Sequence, residues 1–145
     1  MRKFALLKDG SNEALLAKTK NTVTALLGEL FDPEDLTSVE DLHSFPFGSA
    51  TIQIQVLPWH AEDVLVRVFS YLVENVDPSK EGLCEQLLRL NATVPLGAFS
   101  LVFDGTIMFS CSLAGNNLDK NELLGALQTV AAYADQYDDI LKAFF

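Results

Sequence analysis

The chain is poor in the residues from which most protein chemistry is built. Its 145 residues include two cysteines, two histidines and one tryptophan, with ten Lys and Arg against twenty Asp and Glu. Cys84 and Cys111 stand far apart, and Cys111 falls in a stretch that reads as a buried strand. The pair therefore reads as small reduced core residues rather than as a disulfide. His43 and His60 have no Cys or His partner at metal-ligand spacing, and the group His60, Glu62 and Asp63 reads as a solvated connector. The eight glycines are dispersed, so neither a phosphate loop nor a dinucleotide fingerprint assembles. Ser49 follows Gly48 but lacks the Gly-x-Ser-x-Gly frame of a nucleophile on a tight turn. No catalytic residue, cofactor or metal is expected, and the chain reads as a non-enzyme.

The shortage of positive charge narrows the partners. Formal net charge is −10, and residues 1–20 alone hold five basic and two acidic side chains, net +3. The remainder holds five basic against eighteen acidic, net −13, with Arg67, Lys80, Arg89, Lys120 and Lys142 scattered singly. Neutralising phosphates takes clustered Lys and Arg, so nucleic acid is not an expected partner. No apolar run approaches the roughly 18 residues of a membrane span. The stretch Phe4-Ala5-Leu6-Leu7, ahead of Lys8-Asp9, is too short for a signal-peptide core. The expected setting is a reducing cytoplasm, with no membrane.

What is present is a foldable core. Apolar residues make up 49% and charged residues 21%, far from the composition of disordered chains. The length suits a single domain over residues 1–145.

Residues 11–31 read as an amphipathic helix from the spacing of Leu15, Leu16, Thr19, Val23, Leu26, Leu27 and Leu30, capped by Ser11 or Asn12 and stopped by Asp32-Pro33. Residues 32–48 form an acidic connector whose apolar members suggest that it lies across the core, with a helical turn at Leu36, Val39 and Leu42. Ser49 to Leu57 alternates as a strand, Ile52, Ile54 and Val56 opposing Thr51, Gln53 and Gln55. After Pro58-Trp59-His60-Ala61-Glu62, residues Asp63 to Val76 carry apolar side chains on both faces, as in an interior strand covered on each side.

Asp77-Pro78-Ser79 opens a shorter helix to about Leu90, with Leu83, Leu87 and Leu88 inward. Ala98–Phe103 and Thr106–Leu113 flank Asp104-Gly105, which reads as a two-residue hairpin turn with positive φ at both positions. Asp119 and Glu122 form a capping box for a final helix running from Leu123 through Ile140 and Leu141 to Phe144. The fold class is α+β: an antiparallel sheet of four to five strands with helices packed on it, in the order α-β-β-α-β-β-α.

The second half carries a resemblance. Leu87-Leu88-Arg89-Leu90-Asn91, Gly97-Ala98-Phe99-Ser100-Leu101, Asp104-Gly105-Thr106-Ile107 and Ala134-Asp135-Gln136-Tyr137-Asp138 are similar to the YbjN-type family, which shares the Tir-chaperone-like fold of type III secretion chaperones. The match is best over about residues 83–141; over residues 1–60 it follows element order. The resemblance implies an antiparallel sheet packed by helices, and a small acidic homodimer that holds an extended segment of a partner without ATP. The connector at 32–48 departs from the pattern in being longer, which stands to alter or cover a partner groove.

Surplus aromatics are the candidate protein contacts: Phe45, Phe47 and Trp59, and after them the terminal pair Phe144-Phe145. Asp135, Asp138 and Asp139 read as a solvated helix face, with Asp138 pairing to Lys142. The functional reading is a protein-binding, chaperone-like module that takes a protein partner or peptide segment. The alternative is a small regulatory or assembly subunit of a larger complex.

Overall fold

The computed structural model describes residues 1–144. The order is α1 (Glu13–Leu30), β1 (Thr37–Val39), β2 (Leu42–Phe47), β3 (Ala50–His60), β4 (Asp63–Val73), α2 (Leu83–Asn91), β5 (Ala98–Val102), β6 (Thr106–Ala114) and α3 (Lys120–Phe144). All six strands join one antiparallel sheet in the order β1-β2-β3-β4-β6-β5. The α+β class with a helix-packed antiparallel sheet is as expected from sequence, with more strands than the four to five foreseen. The additions come from the acidic connector, which folds into the hairpin β1–β2 and extends the sheet instead of crossing the core.

The helices α1 and α3 pack against the middle of the sheet, and α2 against β5. Strand periodicity dictates what they cover. On β3, Ile52, Ile54 and Val56 are buried, and on β4 so are Val64, Val66 and Val68, while Thr51, Gln53 and Arg67 alternate outward. From α1 come Thr19, Val23 and Leu27, one stripe at four-residue spacing; from α3 come Leu123, Leu127, Val130 and Ala134. Phe109, Phe99, Tyr133 and Tyr137 close the β5–β6 end with ring centroids 4.9 to 6.0 Å apart.

Both long helices begin where their caps place them. The Asn12 side chain accepts from the Leu15 amide at 3.0 Å, and Asp119 and Glu122 exchange reciprocal bonds of 2.8 and 3.2 Å. Asn12 also donates to the Ala61 carbonyl, and the Ala61 amide donates to the Lys8 carbonyl. These bonds moor the chain before α1 to the β3–β4 turn.

Several local expectations are corrected. Strand β3 runs on to His60, so Trp59 sits in a strand and the connector shrinks to Ala61-Glu62. Strand β4 ends at Val73, and its outward face is only half covered, Phe69 being screened by Tyr71. The helix after Asp77 starts at Leu83, because the Asp77 carboxylate accepts from Ser79 and holds a separate turn. Leu88 is 70% exposed rather than inward, and Ile140 is exposed as well. Cys111 is buried and its thiol is pushed up by desolvation, whereas Cys84 is an exposed free thiol on α2 and not a core residue.

The β5–β6 loop has three residues, Phe103-Asp104-Gly105, closed by the Val102↔Thr106 pair. Positive φ falls on Phe103 (52°) and Gly105 (135°), not on Asp104. The open edge of β5 is sealed by a side chain: Asn91 accepts from the Phe99 amide at 2.6 Å and donates to its carbonyl at 3.0 Å. The carboxamide completes one rung of a strand ladder there.

Candidate functional site

The site grows from the way α1 ends. Phe31 leaves the helix in an extended conformation while its amide still bonds to the Leu27 carbonyl at 2.9 Å. Asp32-Pro33 then turns the chain into one 3-10 turn at Pro33–Asp35. Phe31 is thereby brought against Phe45 of β2, ring centroids 4.7 Å apart.

Strand alternation places His43, Phe45 and Phe47 on the helix-facing side of β2. His43 and Phe45 are buried, but Phe47 is 46% exposed. Opposite it α3 presents the small side chains of Ala131 and Ala132, and an apolar groove of about 290 Å³ opens between α1, α3 and β2. Leu30, Phe31, Phe45, Phe47, Leu124 and Leu127 line it, with Gln128 as the polar exception. A second hollow of about 570 Å³ continues past Phe47 and Pro46 to Glu34 and Asp35. A third, about 310 Å³, lies behind Phe31 and is bounded by Asp32, Ser38 and His43. The walls of all three hold three carboxylates and neither Lys nor Arg.

The β2–β3 turn pins this wall to α3. Ser49 donates from its hydroxyl to Asp138 at 2.5 Å and from its amide to Asp135 at 3.3 Å. Gly48 has φ +57° and lies so close to Asp135 that a Cβ there would meet the carboxylate at 2.0 Å. Asp138 is therefore a buried clasp, not the solvated partner of Lys142 expected from its spacing. Replacing Asp138 with Ala is expected to cost about 1–3 kcal/mol, since a charge-assisted hydrogen bond to Ser49 and a buried side chain are both lost. Urea unfolding of that variant against Asp139→Ala, an exposed neighbour, measures the difference.

His43 gives the groove a pH-dependent support. It bonds Ser38 at 2.7 Å through Nδ1. Burial lowers its pKa from the ordinary 6.5, partly offset by the charge of Asp41. The folded chain therefore takes up this proton at lower pH than the unfolded chain. The associated stability is fully present above pH 6.5 and is lost as pH falls through the lowered value. Urea midpoints at several values between pH 7.5 and 5 should drop on acidification, and His43→Gln should flatten that part of the slope.

The sequence candidates thus separate. Phe45 and Phe47 share the groove, while Trp59 stands seven to nine residues along β3 from their partners Ile52 and Ala50, about 23–30 Å away, 43% exposed and edge-on to His60. Phe145 and the side chain of Phe144 lie outside the described residues. The His60 ring accepts from the Glu62 amide at 3.2 Å, and Asp63 accepts from the amides of Val64 and Asn116. Among the described residues no three His, Cys, Asp or Glu side chains come together as metal ligands. Nor is any helix among them long and apolar enough to cross a membrane.

Residues 17–145 match the family model TY-Chap1, described as T3SS (YopN, CesT) and YbjN peptide-binding chaperone 1. The chain belongs to the TY-Chap1 family. No curated protein matches it. The YbjN-type, type III secretion chaperone-like resemblance read from residues 83–141 is upheld, and the matched span reaches back through α1 and the groove wall. The TY-Chap1 span also includes groove residues that sequence reasoning missed: Phe31, Leu124, Leu127, Ala131 and Ala132. Their signal is faint, because leucines and alanines at helical spacing look the same whether they floor a groove or a core.

Proposed function

We propose that this chain is a non-enzymatic peptide-binding module that receives an extended protein segment in the groove between α1, α3 and β2. The observation that carries the reading is the groove itself: an apolar floor rimmed by Asp32, Glu34 and Asp35, in a chain of a family described as peptide-binding chaperones. Apolar side chains of the segment fill the floor beside Phe31 and Phe47, and its Lys or Arg residues face the rim. Phe45 supports Phe31 from below. Trp59 is left for a separate contact with a partner protein.

Residues 1–145 act as one domain in the cytoplasm, and the family fold favours a homodimer. A surface is available for it: the row Phe69, Tyr71 and Phe103 on the sheet face away from α1 and α3, ring centroids 5.5 and 5.8 Å apart, in which Phe69 is buried, Tyr71 is partly exposed and Phe103 is 77% exposed. Light scattering at micromolar concentration should return at least twice the chain mass, and a lower mass in Phe103→Ser. A random peptide library selected on the immobilised protein tests the reading as a whole. Enriched sequences should pair apolar residues with Lys or Arg and bind with micromolar affinity by fluorescence anisotropy. Failure to enrich any sequence, or binding undiminished by filling the groove with Ala132→Trp, overturns it.

A further inference from the structure

The segment before α1 has the composition that the groove lacks. Residues 1–8 read Met-Arg-Lys-Phe-Ala-Leu-Leu-Lys and form no helix or strand. All eight are exposed, Phe4 at 71% and Leu6 and Leu7 nearly as much. Three exposed apolar side chains beside Arg2 and Lys3 face water on a body whose remainder is net acidic. The groove offers the complement: apolar floor, carboxylate rim, no positive charge.

Geometry decides whose groove it is. Lys8 is held at the β3–β4 turn by the bond from the Ala61 amide, beside the first turn of α1. Phe31 lies beyond the opposite end of that 18-residue helix, which is about 27 Å long at 1.5 Å per residue. Phe4, four residues ahead of Lys8, reaches at most about 14 Å from it, and Leu6 and Leu7 less. The apolar side chains cannot reach the groove of their own chain.

We propose that residues 1–7 of a second copy dock in the α1–α3 groove, with Phe4, Leu6 and Leu7 on the apolar floor and Arg2 and Lys3 against Glu34 and Asp35. The proposal rests on the peptide-binding reading above and makes the tail an occupant that a client must displace. Client affinity then weakens as protein concentration rises, and removing residues 2–7 restores it.

The test places a benzophenone amino acid at position 4 and mixes isotopically light and heavy protein before irradiation. Mixed-isotope crosslinks from position 4 to residues 30–47 or 124–132 are expected. Glu34→Lys with Asp35→Lys should cut them several-fold, and Arg2→Glu with Lys3→Glu in the other copy should restore them. Single-isotope crosslinks alone, crosslinks confined to other surfaces, or none at all would overturn the proposal. A synthetic peptide of residues 1–10 and one library-selected peptide are titrated in parallel against protein lacking residues 2–7. If the selected peptide binds and the 1–10 peptide does not, the tail proposal fails and the groove reading stands. If neither binds, both fail.

Discussion

Replacing Phe47 with serine should weaken binding of a library-selected peptide at least tenfold, about 1.4 kcal/mol, while leaving the thermal midpoint almost unmoved. The residue is nearly half exposed at the groove mouth, so its truncation removes contact area from a bound segment and little from the core. Phe45 would not separate the two effects. It is buried and packed at a tilt against Phe31, and Phe45→Ala should cost about 3 kcal/mol or more of stability along with binding. Trp59→Ser, at the far end of β3, should leave peptide affinity within about twofold, as expected outside the contact area. Anisotropy titrations paired with melting curves read all three.

The largest stability loss from a single added methyl group is expected at Gly105. Its φ of 135° is strained for any L side chain, and a Cβ there would lie 2.1 Å from the Val76 carbonyl oxygen. That oxygen is backbone and cannot step aside as a side chain does, and the Val76 amide is itself bonded to the Gly105 carbonyl at 2.9 Å. Gly105→Ala should therefore cost about 3 kcal/mol or more, a fall of roughly 10 °C for a domain of this size. Gly125→Ala in α3 is the control. Nothing lies within 4 Å of its added Cβ, and the exchange should be neutral or stabilising by up to about 1 kcal/mol.

These positions show which parts of the fold were legible. The helix starts were readable because caps are local: Asn12 for α1, and Asp119 with Glu122 for α3, act within one turn. Ile52, Ile54 and Val56 announced β3 by simple alternation. The connector at 32–48 was misread because β1 has only three residues, all exposed, and β2 carries a proline, so neither has a clear period. What makes them strands is pairing in successive hairpins, β1 with β2 and β2 with β3, which the period of neither strand displays. Asp104-Gly105 marked a hairpin correctly, but its length was set by the Val102↔Thr106 register and by the passage of Gly105 against Val76.

The site was legible in part for the same reason. Phe45 and Phe47 stood out as surplus aromatics in an acidic stretch. Their companions on α3 did not stand out, because Ala131 and Ala132 matter through being small opposite Phe47, a fact about separation in space. The Ser49–Asp138 clasp was likewise hidden: its partners are 89 positions apart, and the nearest sequence explanation, an ion pair to Lys142, was local and wrong.

Amide hydrogen exchange with and without a saturating library-selected peptide tests the central claim most directly. Extra protection is expected at residues 30–36 and 42–47 and on the groove-facing turns of α3 over 124–132, with β5 and the Phe103 loop unchanged. Protection confined to β5, β6 and the aromatic row of the opposite sheet face would contradict it.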